Sequence, residues 1–451
     1  MKPIAACLLV LGTLVGFRSS MSAQDGARPA SAPPPAGSSL TAVVGAYCAG
    51  CHNGRLRSPS GPVLESFDPA TVAARPDLWA RAYRQLQARA MPPIGAPRPD
   101  RATTEGALRA IEHALGATGD GTASSEAIAT RLATVLWNSA PDAALLEEAQ
   151  RGRLRDPAAV ERQVQRMLTD DRARAFVARF FVPWLQLDEL AKADPDPTYF
   201  PDYDASLRDA LATETELFLL SQLRDDRDPL ELWSADYTFL NGQLARHYGV
   251  PNVTGAQFRR VPAAPERAGL LGHGSILMVT SRHQRGVDAA YTSPATRAKW
   301  VRLHFLGASL PNGFPGAQPV KPELPITPQT RTLAVEPCVN CHRNFFPLGY
   351  ALENFDPLGR WRTHDQVGPV DVSGTFLDGT PTNGVIEMRN VLLQYPDAFR
   401  TTLAEKLLVY AATGSVGPAS GTPDSLIQAR QILRGVPRPR WSALIAAVVR
   451  E

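Results

Sequence analysis

Four of the chain's five cysteines stand in two copies of one short pattern, Cys48-Ala49-Gly50-Cys51-His52 and Cys338-Val339-Asn340-Cys341-His342. Two thiols two residues apart, followed at once by an imidazole, have the attachment spacing of a c-type haem. Both thiols can reach one porphyrin edge, and the adjacent imidazole meets the iron. By composition alone one such pattern arises in about one chain in a thousand. The alternatives are a disulfide within each pair or a four-cysteine zinc site. A bridge across so short a spacing is usually redox-active, and zinc would not need both histidines. The sequence therefore predicts two covalently attached c-type haems, with His52 and His342 on the two irons.

The fifth cysteine, Cys7, falls in a start that reads as an export signal. Lys2 supplies the charge, Ile4 to Phe17 is nearly unbroken apolar sequence, and Ser20 to Ala23 offer small residues for cleavage. A run of that length is short for a membrane span, and a retained anchor is the competing reading. No other segment is apolar enough to cross a membrane. The expected location is the periplasm or exported cell envelope, where this kind of haem attachment takes place in bacteria. The net charge of +3 falls to +1 once Lys2 and Arg18 leave with the signal. Such a balance excludes a nucleic-acid binder driven by bulk charge. Mean hydropathy of −0.16 fits a globular chain.

The expected fold is mainly α. Residues 1–23 read as the signal peptide and 24–40 as a flexible linker rich in Pro, Ala and Ser. Residues 41–118 read as a class I-like cytochrome c module. Its helices are expected at Ala42 to Tyr47, Asp77 to Arg89 and Thr104 to Leu115. Met91-Pro92-Pro93, 39 residues past His52, places a thioether in a proline-stiffened loop. Met91 is the candidate second axial ligand of the first haem, a pairing that raises the iron's potential; the alternative is a core methionine filling a gap. His113, on the closing helix, reads as a surface or capping residue.

Residues 123–310 read as a helical domain. Helices are expected at Ala127 to Trp137, Ala143 to Arg151, Ala158 to Leu168, Arg172 to Leu187, Leu207 to Leu223 and Thr238 to Tyr248, separated by turn signals. Residues 311–330 form a proline-rich strap, and 331–365 carry the second haem motif. Residues 366–451 form a C-terminal domain. It has a hairpin or turn-rich loop at 369–386 and helices at Asp397 to Thr413, Pro423 to Arg434 and Trp441 to Val449. Asp365, Asp371 and Asp378 are spaced too irregularly for a calcium loop and read as solvated turns.

Several stretches resemble the secreted multidomain cytochrome c proteins of planctomycetes, whose domains mostly lack an assigned function. They are Leu136 to Asp142; Arg166 to Leu168 with Phe180-Phe181 and Trp184-Leu185; Asp236 to Asn241; Leu270 to Ser281; Thr292 to Pro294 with Lys299-Trp300; and Cys338 to Arg362. Met91-Pro92-Pro93 matches the N-terminal module of such proteins. The resemblance covers nearly the whole mature chain. It implies a haem protein of the cell envelope and supplies no reaction. The chain departs from the pattern at Phe345-Phe346-Pro347, where relatives often carry Met-Asp-Pro, and in an insertion from His283 to Tyr291.

The second haem lacks a partner as persuasive as Met91. Met388 and His273 are candidates, His273 also as a distal acid or base because its flanking glycines allow close approach. His283, His304 and His364 are weaker candidates, with surface or hydrogen-bonded loop positions as the alternative. Arg360, Trp361 and Arg362 are candidate contacts for haem propionates. Three functions follow. One is a dihaem electron carrier acting with a redox partner protein. Another is a peroxidase-like oxidoreductase with a catalytic second haem. The last is an envelope scaffold in which the haems are structural.

Overall fold

The computed structural model describes residues 38–55, 62–116, 123–281, 292–309, 346–365, 368–418, 421–437 and 439–451. The expected signal peptide, most of the linker, the proline strap and the Cys338–His342 motif lie outside the described residues.

The chain is mainly α-helical, and most helices start where a side chain accepts a backbone N–H. In the N-terminal part these are α1 (Leu40–Tyr47), α2 (Ala70–Ala74), α3 (Pro76–Gln87) and α4 (Arg101–Leu115). Ser39 caps α1 and Asp100 caps α4. α1, α2 and α3 all pack against α4. Their shared core is Val43, Val44, Val72, Trp79, Tyr83, Ala107 and Ile111.

The middle of the chain follows the same grammar. Ser124, Asp142, Asp156 and Asp204 cap α5 (Ser125–Trp137), α6 (Ala143–Gln150), α7 (Pro157–Thr169) and α8 (Ala205–Arg224). The single helix expected over Arg172 to Leu187 is instead a broken coil. A short 3-10 turn is followed by a π-helical stretch, Val177–Phe181, and a further short turn. The wider π turn lets Phe176, Phe180, Phe181 and Trp184 all face inward, and each is fully buried. They meet Tyr410 and Trp441 from the far end of the chain.

The helix expected over Thr238 to Tyr248 is also corrected. Tyr237–Leu240 is strand β1, paired antiparallel with β2 (Arg259–Pro262). Its aromatic and β-branched residues suit a strand, and three of its four residues are buried. Asn241 then caps the short helix α9 (Gly242–Tyr248). Helices α10 (Gly274–Val279), α11 (Pro294–His304) and α12 (Phe346–Tyr350) follow. Two small antiparallel pairs come next: β3 (His364–Asp365) with β4 (Gly368–Pro369), and β5 (Ser373–Thr375) with β6 (Pro381–Asn383). The hairpin expected at 369–386 is therefore present. It runs directly into α13 (Gly384–Leu392), which the sequence did not announce.

The last helices are α14 (Pro396–Thr413), α15 (Pro423–Gly435) and α16 (Trp441–Arg450). α16 lies on α7 and α5, and one apolar core runs from Ile128 to Val449. The stretches expected as a central and a C-terminal domain share that core, and the described residues form one compact unit.

Candidate functional site

The helical hydrogen bonding of α1 carries on past its end. Cys48 N donates to Val44 O (3.0 Å), Cys51 N to Cys48 O (3.1 Å) and His52 N to Cys48 O (2.9 Å). Residues three and four apart in such a turn are neighbours on one face. Cys48, Cys51 and His52 are thus gathered on one turn by backbone geometry alone. The Asn53 side-chain amide donates to Ala49 O (3.2 Å) and Gly50 O (2.7 Å) and holds the turn closed. Leu64 N donates to His52 O (2.7 Å) and ties the turn to the following segment.

Both thiols are free. Cys51 is exposed and Cys48 is partly buried. Burial, with a smaller push from Cys51, raises the Cys48 thiol to about 11. The thiol is therefore protonated at neutral pH, which makes it a poor partner for disulfide exchange. His52 Nδ1 is buried without a hydrogen-bond partner. Two unbridged thiols and an imidazole on the same turn are the set of side chains that a covalently held haem requires.

Met91 follows the end of α3. Ala90 N and Met91 N both donate to Gln85 O, at 2.9 and 3.2 Å. The Met91 side chain is 37% exposed. It is not a gap-filling core methionine. His113 lies on the exposed face of α4.

The second set of attachment residues, Cys338, Cys341 and His342, lies outside the described residues. Further along, residues 352–362 belong to a buried ionic frame. Arg297, fully buried on α11, pairs with Glu353 (3.0 Å) and donates to Leu352 O (2.6 Å), Asp356 O (3.2 Å) and Ser281 Oγ (3.3 Å). Burial lowers its guanidinium to about 10, with Glu353 opposing. Arg362 joins Glu353 from the other side (3.1 Å), and Arg360 pairs with Asp356 (2.7 Å). These two arginines, expected as propionate contacts, are thus held by carboxylates of the chain itself. Trp361 is 42% exposed, edge-on to Phe355.

His273 is a core residue. Its Nδ1 bonds Thr215 Oγ1 (2.9 Å), and its ring stands edge-on to Phe218 at 4.8 Å. Burial, reinforced by Arg267, drops it to about 3. The glycines beside it admit protein rather than ligand: a Cβ on Gly272 would lie 2.3 Å from the Arg267 backbone, and one on Gly274 2.4 Å from Leu211. Met388 is also fully buried in the core. His304 is buried between Trp184 and Trp300 rather than on a surface loop. His364 is exposed in β3, and His283 lies outside the described residues. Asp371 and Asp378 accept from Ser373 and Thr380 two residues on, as turn residues do.

The sequence reading missed a buried carboxylate. Glu214 on α8 accepts from Thr238 (2.6 Å) and Tyr248 (2.6 Å), and Tyr248 in turn accepts from Gly274 N (2.8 Å). Arg267 lies 3.9 Å over the Tyr248 ring. Burial outweighs these bonds and raises Glu214 to about 7. The signal was its place in the stripe Leu207, Leu211, Glu214, Phe218, a charge at apolar helical spacing.

No helix among the described residues is long and apolar enough to cross a membrane. No curated protein and no solved structure matches the chain. Residues 124–250 match the family model PSD4, a protein of unknown function (DUF1592). Residues 267–365 match PSCyt3, a protein of unknown function (DUF1588), and this match spans the second Cys-X-X-Cys-His pattern. Both are planctomycete-type, cytochrome c-associated domains of unknown function.

Proposed function

We propose that the chain is an exported dihaem c-type cytochrome that carries electrons in the cell envelope. The observation that carries this reading is the single turn bearing Cys48, Cys51 and His52, with both thiols unbridged. Cys48 and Cys51 would hold the first haem and His52 and Met91 its iron; Cys338, Cys341 and His342 would hold the second. Bound there, haem supplies a one-electron iron couple. The protein's own part is to fix the imidazole on a hydrogen-bonded turn and to keep the thioether on a loop closed at Gln85. A near-neutral chain recognises its redox partner protein through local patches rather than net charge.

Production in a bacterial periplasm with c-type maturation tests the reading. Two covalent haems per chain are expected by haem assay of the denatured protein, and one after Cys48→Ser with Cys51→Ser. A chain that matures without covalent haem overturns it.

A peroxidase-like enzyme with a catalytic second site is the second reading. It is favoured by where the candidate second ligands lie: Met388, His273 and His304 are all committed to the core. Spectra showing two low-spin irons in both oxidation states overturn it.

A further inference from the structure

The loop that carries Met91 is stapled at both ends and clamped from outside. Arg98 Nη1 donates to Arg89 O (2.9 Å), and Arg89 Nη1 returns a bond to Pro99 O (3.4 Å). The two arginines close residues 89–99 into a compact surface loop. Arg98 Nη2 donates to Leu377 O (2.8 Å), which sits 279 residues away in the turn between β5 and β6.

That turn is itself braced. The Tyr395 hydroxyl donates to Asp378 Oδ2 (2.5 Å), and its ring stacks on Phe376 at 5.1 Å. Asp378 adds its charge to the Arg98 side of the contact. A Cβ built on Gly379 would lie 3.7 Å from the Ile94 methyl, so the turn covers the loop between its staples. The other end of the hairpin rests on α12, where a Cβ on Gly374 would lie 2.2 Å from Pro347 O.

We propose that Arg98, held between the Arg89 and Leu377 carbonyls, is a positioning residue that sets how firmly Met91 binds the first iron, and that the β5–β6 hairpin thereby governs the potential of that haem. The proposal rests on the reading of Met91 as an axial ligand. Thioether sulfur is a weak ligand, so its hold depends on the loop that presents it. Surface loops with few buried contacts open at low free energy. Two carbonyl bonds from one planar guanidinium are the kind of constraint that suppresses such opening. Once the sulfur is lost, the elevated potential of Met/His ligation is lost with it.

The test uses the matured full chain. The wild type should show the weak red charge-transfer band of ferric iron bound by thioether, and Met91→Ala should abolish it. Arg98→Gln should weaken or abolish the same band and lower the potential of the first haem. It should also let imidazole displace the sulfur about tenfold more readily, equivalent to about 1.4 kcal/mol. Arg98→Lys keeps the charge but loses the fork and should fall between; it also serves if the glutamine variant fails to fold. An unchanged band and potential in these variants, with the band lost in Met91→Ala, overturns the role of Arg98 alone. A wild type without the band overturns the Met91 reading, and the role of Arg98 with it.

Discussion

Tyr248 donates its hydroxyl hydrogen to Glu214 across 2.6 Å, at a carboxyl group that is 1% exposed. Thr238 supplies a second hydroxyl at the same distance, so both oxygens are satisfied. Hydroxyl donors on both sides do not restore the hydration lost by a buried carboxylate, and the group is pushed up to about 7.

This has a measurable pH signature. In the unfolded chain Glu214 ionises near its ordinary value of 4.5, whereas in the folded chain it holds its proton until about 7. Below the lower value both states are protonated and there is no penalty. Between the two, the unfolded state loses the proton first, so stability falls as pH rises, by roughly 3 kcal/mol in all. Above the upper value the loss is complete. Glu214→Gln should remove this slope, and urea midpoints measured from about pH 4.5 to about pH 8 should become flatter than in the wild type. Parallel curves would show that Glu214 titrates normally.

His304 works in the opposite pH direction. It is buried between Trp184 and Trp300, and burial, with the nearby charge of Lys406, holds its imidazole well below the ordinary 6.5. As pH falls through that value the unfolded chain takes up a proton that the folded chain refuses, so acid destabilises the fold. His304→Phe fills the same aromatic slot without a titrating group. Relative to the wild type, its thermal midpoint should rise as pH is lowered from about 7 to about 5. A constant difference across that range would overturn the assignment.

These two residues show what a sequence can and cannot reveal. Helix starts were legible because caps are local: Ser124, Asp142 and Asp204 each act within three residues of themselves. The first motif was legible because spacing alone puts Cys48, Cys51 and His52 on one turn. The π stretch was not, because Val177 to Phe181 has ordinary helical composition and its aromatic partners, Tyr410 and Trp441, lie more than 200 residues away. Nor was β1 legible, since Tyr237–Leu240 is short and its partner lies across α9. The glycines around His273 announced close approach, but sequence does not tell a ligand from the Arg267 backbone. The Arg98 clamp joins points 279 residues apart, which no local pattern encodes.

Arg297 is the keystone of the frame that follows the second motif. Its guanidinium makes a salt bridge to Glu353 and bonds to two carbonyls with no solvent exposure. Arg297→Met leaves Glu353 with Arg362 and the Thr292 hydroxyl, so its charge stays compensated and the lost bonds are worth about 2–3 kcal/mol. Chemical unfolding should report that loss. Under the proposed function, haem content at the second motif should fall before that at the first, because the stretch 352–356 that follows α12 loses its anchor to α11. Equal loss at both motifs would point to global unfolding instead. Glu353→Gln, which takes the shared carboxylate from both Arg297 and Arg362, should cost at least as much.

Glu112 joins the N-terminal helices to the C-terminal ones. It is 5% exposed on α4 and accepts from Tyr83 (2.6 Å), from Arg430 (2.9 Å) and from Arg434. Arg84 and Glu405 form a second tie between α3 and α14. Burial works to raise Glu112, but the Tyr83 bond and the two arginines prevail and hold it below its ordinary 4.5. The contribution is therefore complete above that value and is lost as pH falls through the lower, folded value. Glu112→Ala strands the Tyr83 hydroxyl and leaves Arg430 only its bond to Thr401, and should cost about 2–3 kcal/mol. The loss should be local: limited proteolysis should release the segment from residue 38 to residue 116 while the rest stays intact. If the variant melts in one transition with unchanged cleavage, the two ends of the chain are joined by their apolar contacts, chiefly Leu426 against the core of α1, α3 and α4.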